Sequence, residues 1–207
     1  MNIIKTLSGL LSGIVLIMAS GSSGFAQKFE GGILAGLCAS QVAGDNYSGY
    51  HKAGVFVGSY VALVLSDRLD LRLELEYIQK GSRKNPIPDK GDYDSYLMRL
   101  GYIEMPLLLR FHVGRKLVAE AGPAVSFLLH SSEKFNQEDV YYHPFAKQNL
   151  SIIAGISYPV TSRISAGLRT NNSLFSIRKD TFTGNVWRFW GYGQFNDALV
   201  FTLGYRL

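Results

Sequence analysis

The stretch LDLRLELEYIQK, residues 69–80, decides the fold because its side chains alternate between apolar and charged. Leucines and a tyrosine occupy the odd positions, and Asp70, Arg72, Glu74 and Glu76 occupy the even ones. A period of two predicts a β-strand with one apolar and one charged face. In a soluble sandwich the leucines would fill the core, whereas in a membrane barrel they would face lipid and the charges would lie inside.

The N-terminal residues predict export. Lys5 precedes an apolar run at residues 7–19, and Gly24 and Ala26 occupy the −3 and −1 positions of a signal-peptidase site. We therefore expect a cleaved signal peptide at residues 1–26 and one barrel domain at 27–207. Cys38 is the only cysteine, so no internal disulfide is expected. The domain carries no apolar run of about 20 residues, so no transmembrane helix is expected in it.

Eight segments of the predicted domain read as strands. Each reaches roughly the 9–11 residues that a tilted strand needs to cross a bilayer. They are residues 28–42, 51–65, 69–81, 96–113, 117–130, 147–159, 163–173 and 196–207.

The connections between these segments alternate in length. Short links at 66–68, 114–116 and 160–162 alternate with long links at 43–50, 82–95, 131–146 and 174–195. This pattern is typical of outer-membrane barrels. It predicts an all-β fold: an eight-stranded antiparallel up-and-down transmembrane β-barrel with short periplasmic turns and long extracellular loops. Both termini would then be periplasmic, in the outer membrane of a Gram-negative cell. The alternative is an exported soluble sandwich or lipocalin-like barrel.

On the membrane-barrel interpretation, acids and bases share the inward face of several strands. Buried charges persist when they are paired, so we predict a lumenal ion-pair network that fills and aligns the barrel. The alternative role for such charges is a proton or ion path. The predicted members are Arg72, Glu74, Glu76, Glu104, Arg110, Glu120, Arg169 and Arg206.

Several motifs resemble a known family. The resemblance covers nearly all of the predicted domain, in the right order, and is to the PorT-like outer-membrane β-barrel proteins of Bacteroidota. It implies a barrel in the outer membrane and a link to type IX protein secretion, for which the founding member is needed. The sequence departs from one pattern: outer-membrane barrels usually have an aromatic residue in the last position. Here the last residue is Leu207, and the aromatic Tyr205 lies two positions before it. The motifs are YIEMPLLLRF (102–111), AGPAVSFLL (121–129), GGILAGLCASQVAGDNYSGYHKAGVFVG (31–58), LELEYIQKGSR (73–83) and the terminal LGYRL (203–207).

Signals for catalysis or cofactor binding are weak. The four histidines do not have metal-ligand spacing, and we expect no metal, no cofactor and no enzymatic activity. One predicted loop contains four residue types that occur in catalytic sites: His130, Ser131, Glu133 and His143. Since no catalytic geometry can be shown for them, we interpret the segment as a polar loop at the water interface. No nucleic-acid motif is present. The expected partners are outer-membrane lipid, the barrel-insertion machinery and proteins of an envelope or secretion complex, and the barrel is expected to be monomeric.

Aromatic residues gather near the predicted loop-side ends of the strands. Those beside strands fit an interfacial aromatic girdle, including Tyr47, Tyr50, Tyr93, Tyr96, Tyr141 and Tyr142. The segment VWRFWGY (186–192) lies in the longest link, where Trp187, Phe189, Trp190 and Tyr192 form either a contact surface or an extension of the strands beyond the membrane. Two functions stay open: a structural or accessory envelope barrel, and a small pore or uptake barrel. An outer-membrane enzyme is the least favoured alternative.

Overall fold

A computed structural model describes residues 28–47, 49–114, 116–140, 143–179 and 185–207. The predicted signal peptide lies outside the described residues. A short 3-10 turn, Pro88–Lys90, lies between the third and fourth strands. The strands are β1 (Lys28–Ala43), β2 (Lys52–Ser66), β3 (Leu69–Lys84), β4 (Tyr96–Val113), β5 (Leu117–Phe135), β6 (Glu138–Asp139), β7 (Gln148–Pro159), β8 (Ile164–Ser173), β9 (Val186–Arg188), β10 (Gly191–Gly193) and β11 (Phe195–Arg206).

Eight long strands close into a barrel. Their order is β4-β3-β2-β1-β11-β8-β7-β5, and pairing of β4 with β5 completes the circle. Every pairing is antiparallel, and the first and last strands meet in a long register from Gly32↔Arg206 to Ala43↔Phe195. Closure leaves none of the eight long strands with an unpaired edge within the described residues. The predicted eight-stranded up-and-down barrel is confirmed.

The structure differs from the prediction in the long connections. β3 and β5 continue to Lys84 and Phe135, beyond the predicted ends at 81 and 130. Three short strands lie outside the eight predicted segments: β6 extends the sheet beside β5, and β9 and β10 form a separate hairpin, where the alternative for residues 186–192 was an extension of the barrel strands. We call the end with the long connections the loop end, and the opposite end the turn end.

The two faces of β3 settle which side of the barrel is apolar. Leu73 and Leu75 are 55% and 53% exposed, whereas Glu74 and Glu76 are 1% and 2% exposed. The outer surface of the other strands is apolar as well, with exposed Phe29, Leu107 and Phe201 among many. The soluble interpretation, with the leucines in the core, is therefore wrong.

The barrel interior has two halves of different chemistry. The half near the turn end holds charged side chains, which begin at Asp70 on β3 and Arg110 on β4. The half near the loop end holds an apolar cluster that includes Ile78, Met98, Leu100 and Tyr102. Buried polar side chains also occur in this half, among them Lys80, Ser82 and Glu133. Within the described residues, no helix is long and apolar enough to cross a membrane.

Candidate functional site

Arg169 on β8 is the centre of the lumenal charges. Its guanidinium donates to both carboxylate oxygens of Glu74, at 2.7 and 2.9 Å, and its Nε donates to Glu120. β8 and β3 are four strands apart in either direction round the barrel, so the Arg169–Glu74 pair spans the lumen. All three side chains are almost completely buried. Bidentate arginine–carboxylate pairs fix geometry as well as charge.

The network continues towards the turn end through Arg110. Its Nη1 lies 3.1 Å from Asp70, and its Nε lies 3.3 Å from Glu120. His112 contributes a ring nitrogen 2.6 Å from the second oxygen of Asp70. Acids and bases thus alternate in an unbroken chain of contacts from Asp70 to Glu74.

Arg72 and Glu76 lie beside this chain. The Arg72 guanidinium is 3.6 Å from Glu74 and lies 3.8 Å from the centre of the Tyr60 ring, a cation–π contact. Glu76 lies 3.9 Å from Arg169, and its Oε2 has no hydrogen-bond partner among the described residues. Arg169 is therefore close to three carboxylates, those of Glu74, Glu76 and Glu120.

A second group surrounds Glu104. Its carboxylate accepts from Lys80 at 2.7 Å, from Ser126 at 2.7 Å and from Asn171 at 2.7 Å. Lys80 also donates to Asn171 at 2.9 Å, which makes a second contact across the lumen between β3 and β8. Buried acids need such multiple donors because an unpaired buried charge is strongly unfavourable.

Arg206 lies apart from the other predicted members. It sits at the turn end, where its half-exposed guanidinium contacts Glu30 at 3.3 Å and the carbonyl of Ser162 at 2.7 Å. Asp70 and Lys80 belong to the buried groups, although neither was predicted. Both have even numbers in β3, so the alternation that identified Glu74 was a sufficient signal for them.

Side chains close the lumen at the loop end. Glu133 lies 2.6 and 3.1 Å from the guanidinium of Arg178 and accepts from the Tyr96 hydroxyl. Arg178 in turn donates to Gln194 at 3.1 Å and lies over the Phe145 ring. The predicted girdle is wrong for Tyr96 and Tyr47: Tyr96 is buried inside the barrel, and the partly buried Tyr47 packs against the same cluster, with the two ring centres 4.6 Å apart. Tyr141 and Tyr142 lie outside the described residues.

Asp45, in the connection after β1, gives the loop end a pH dependence. Burial raises the pKa of its carboxyl to about 6, against a smaller lowering by the Ser82 side chain and the Tyr47 N–H. The folded protein therefore holds this proton more tightly than the unfolded chain does. The contribution of Asp45 to stability is therefore most favourable below about pH 4, falls as the pH rises to about 6, and is constant above it.

We expect Asp45→Asn to raise the free energy of unfolding by about 1–3 kcal/mol at pH 8 and to leave it unchanged near pH 4. Urea unfolding in detergent micelles at the two pH values measures the effect. The exposed Asp67→Asn, at the turn end, is the control. An equal gain for Asp45→Asn at both pH values would contradict the assignment.

The segment 186–192 forms an exposed aromatic hairpin, made by β9 and β10. Trp187 lies 5.8 Å from Tyr192, and Trp190 lies 5.7 Å from Phe189, between ring centres. All four side chains are more than half exposed. Phe189 has a φ of 46°, which places the tip of the hairpin in the left-handed region. The hairpin is an element of its own and does not belong to the barrel sheet.

The polar residues of the 131–146 connection do not assemble as a catalytic group. Glu133 faces inward onto Arg178, whereas His130 faces outward, with its ring 6.3 Å from that of Tyr77. No hydrogen bond joins His130, Ser131 and Glu133 within the described residues. Over all the described residues, no group of three or more His, Cys, Asp or Glu side chains is placed to hold a metal ion.

Comparison with known protein families gives one match for this chain. Residues 24–191 match the family described as outer membrane protein beta-barrel domain. A comparison with curated protein sequences finds no significant match.

Solved outer-membrane proteins with a similar fold include the following two. Ail, the attachment invasion locus protein of Yersinia pestis, solved in complex with the heparin analogue sucrose octasulfate, has a TM-score of 0.53 at 11% identity, covering 87% of this chain and 99% of Ail. Neisserial surface protein A has a TM-score of 0.56 at 13% identity, covering 86% of this chain and 97% of that one. The closed barrel, its apolar exterior and the family match lead to one conclusion: the chain is an integral outer-membrane protein that belongs to the outer membrane protein beta-barrel domain family.

Proposed function

We propose that this protein is a structural or accessory component of the envelope, without enzymatic activity, rather than a diffusion pore. The observation that carries the proposal is the pair of contacts that cross the lumen, Arg169–Glu74 and Lys80–Asn171. An eight-stranded barrel is just wide enough to be filled by side chains. Here the apolar cluster around Met98 and Leu100 adds a second filled layer.

The proposed orientation follows from the connections. Bacterial outer-membrane barrels have short periplasmic turns and longer extracellular loops. The loop end, with Asp45 and the aromatic hairpin, would then lie outside the cell, and both termini would lie in the periplasm. The apolar exterior would contact outer-membrane lipid, the barrel-insertion machinery would assemble the chain, and a single closed barrel supports a monomer.

The aromatic hairpin is the proposed contact surface for an envelope partner protein. Tyr and Trp dominate binding hot spots, and exposed side chains such as Trp187 and Trp190 offer large apolar area. The side chains already contact each other, so little conformational freedom would be lost on binding.

The finer proposal is that this partner belongs to type IX protein secretion. Its support is the resemblance of YIEMPLLLRF and the other motifs to PorT-like proteins. Deletion of the gene, followed by proteomic comparison of secreted and surface proteins, tests it. We expect secretion cargo to stay in the periplasm, and restoration by the intact gene but not by a variant with Trp187→Ala and Trp190→Ala. Unchanged secretion in the deletion strain would contradict the link.

Conductance tests the closed lumen separately. We expect the purified barrel to give no current steps in planar bilayers under conditions in which a general porin conducts, because charged and apolar layers both fill the interior. Reproducible steps from the unmodified barrel would favour the second candidate, a small pore or uptake barrel.

A further inference from the structure

The outer surface of the barrel carries a group of cations at the loop end of β3, β4 and β5. They line an open groove with a volume of about 750 Å³. We call this the basic groove. Its outward-facing cations are Arg83, Arg99 and Lys134, whereas Lys84 and the buried Lys52 line the groove from the lumenal side.

The strand register places the basic groove directly beyond the apolar band. An apolar row joins Tyr77, Ile103 and Phe127 across the three strands, and the exposed Leu129 follows it on β5. Along β4, Arg99 follows four residues beyond Ile103, which is about 13 Å of strand. With the usual strand tilt and the length of an arginine side chain, its guanidinium reaches the headgroup layer of a bilayer.

Two further cations lie in the next row. Arg83 and Lys134 both pair with Leu97, one on each side. Adjacent strands are about 4.8 Å apart, so these two side chains start about 10 Å from each other with Arg99 below them. Arg83, Arg99 and Lys134 thus form a triangle on one side of the barrel. The spacing suits two phosphate groups or one phosphate with a neighbouring anionic group.

Most of this positive charge is not neutralised by the protein. Among the described residues, no carboxylate lies within ion-pair distance of Arg83 or Arg99. Lys84 pairs with Asp92 at 2.9 Å, and Lys134 makes an exposed contact with Asp139 at 3.5 Å. Exposed ion pairs of this kind are weak, so the Lys134 ammonium remains available to another anion.

We propose that the basic groove binds the phosphate groups of a glycolipid headgroup in the leaflet that meets the loop end. Arginine guanidinium groups bind phosphate through two parallel hydrogen bonds, and lysine adds a point charge. The acyl chains of the same lipid would lie on the apolar band around Ile103 and Phe127, directly below the cations. The ligand would therefore be bound at its charged and its apolar parts together.

The test uses the full mature barrel in phosphatidylcholine nanodiscs, with diphosphorylated lipid A as the probe. The test variant carries Arg83→Gln, Arg99→Gln and Lys134→Gln. The control variant carries Arg68→Gln, Lys116→Gln and Arg163→Gln, which removes the same charge from exposed positions at the turn end. Far-ultraviolet circular dichroism verifies that both variants are folded. A folded band in detergent gel electrophoresis of unheated samples verifies it independently.

We expect the affinity for lipid A to fall at least about tenfold in the test variant and less than about twofold in the control, because each cation at a charged membrane surface contributes roughly a factor of five. Dephosphorylated lipid A should bind the unmodified barrel as weakly as lipid A binds the test variant. Equal losses in the two variants would overturn the proposal, since the binding would then follow net charge alone. Full competition by millimolar inorganic pyrophosphate would also overturn it, because it would indicate a soluble-anion site. Nanodiscs expose both ends of the barrel, so the result is independent of the orientation and the partner proposed above.

Discussion

Replacing Arg169 by Met is expected to lower the free energy of unfolding by about 3–5 kcal/mol, the largest loss we expect from a single side chain of this barrel. The substitution leaves Glu74, Glu76 and Glu120 buried without the guanidinium that contacts all three. Removing one partner of a buried pair is much more harmful than replacing the whole pair, because an uncompensated charge remains. Urea unfolding of the barrel in lipid vesicles, followed by tryptophan fluorescence, measures the loss.

Two further variants make this expectation specific. Arg163→Met is the control, because it removes an exposed arginine. Among the described residues, the Arg163 guanidinium contacts only the Tyr205 hydroxyl, at 3.2 Å. This substitution should change the free energy of unfolding by less than about 0.5 kcal/mol. Adding Glu74→Gln to Arg169→Met should recover part of the loss, because one fewer carboxylate is left unpaired. A loss below about 1 kcal/mol for Arg169→Met alone would show that water reaches these carboxylates and that the lumen is not filled.

Gly36→Ala is expected to lower stability by about 1–3 kcal/mol or more, although a single methyl group is added. A Cβ at position 36 would lie 1.9 Å from the backbone oxygen of Phe201 on the neighbouring β11. Backbone atoms in a closed ladder cannot move without disturbing the pairing of β1 with β11, which is the seam between the first and last strands. The ordinary effect of replacing glycine by alanine is a modest stabilisation through the unfolded chain, so the expected sign is reversed here.

Gly31→Ala is the matched control in the same strand. A Cβ there meets only the Tyr60 backbone oxygen, at 3.6 Å, which is ordinary contact. Thermal and urea unfolding of the two variants should therefore separate clearly, with Gly31→Ala within about 0.5 kcal/mol of the unmodified protein. If both variants behaved alike, β1 and β11 would be further apart at Gly36 than the structure has them.

The alternation of side chains was sufficient to predict the strands and the side of the sheet that each residue faces, as Glu74 and Leu75 illustrate. The same rule would have placed Tyr96 inside, since it shares its parity with the buried Met98 and Tyr102. Its assignment to the girdle relied on residue type rather than on register.

Other features could not be predicted from alternation. The β4–β5 register shifts between Gly101, which pairs with His130, and Tyr102, which pairs with Leu128. This bulge reverses the parity of the following residues, so Glu133 faces inward and meets Arg178. Local sequence also does not tell which acid meets which base, because Arg169 and Glu74 are 95 positions apart. The hairpin at 186–193 lies in a segment without long alternation.

The contacts across the lumen also constrain how the barrel can be assembled. Arg169 on β8 meets Glu74 on β3, and Lys80 meets Asn171 at a separation of 91 positions. A growing sheet of the first five long strands would already pair Glu104 with Lys80 and Glu120 with Arg110, but without Arg169 it would leave Glu76 without a nearby cation and Glu74 with only Arg72, at 3.6 Å. Such a sheet could not enter lipid stably, because charges within a membrane are tolerated only when paired or hydrated. Insertion and closure should therefore occur together, late and cooperatively, once β8 has arrived and the whole chain is available.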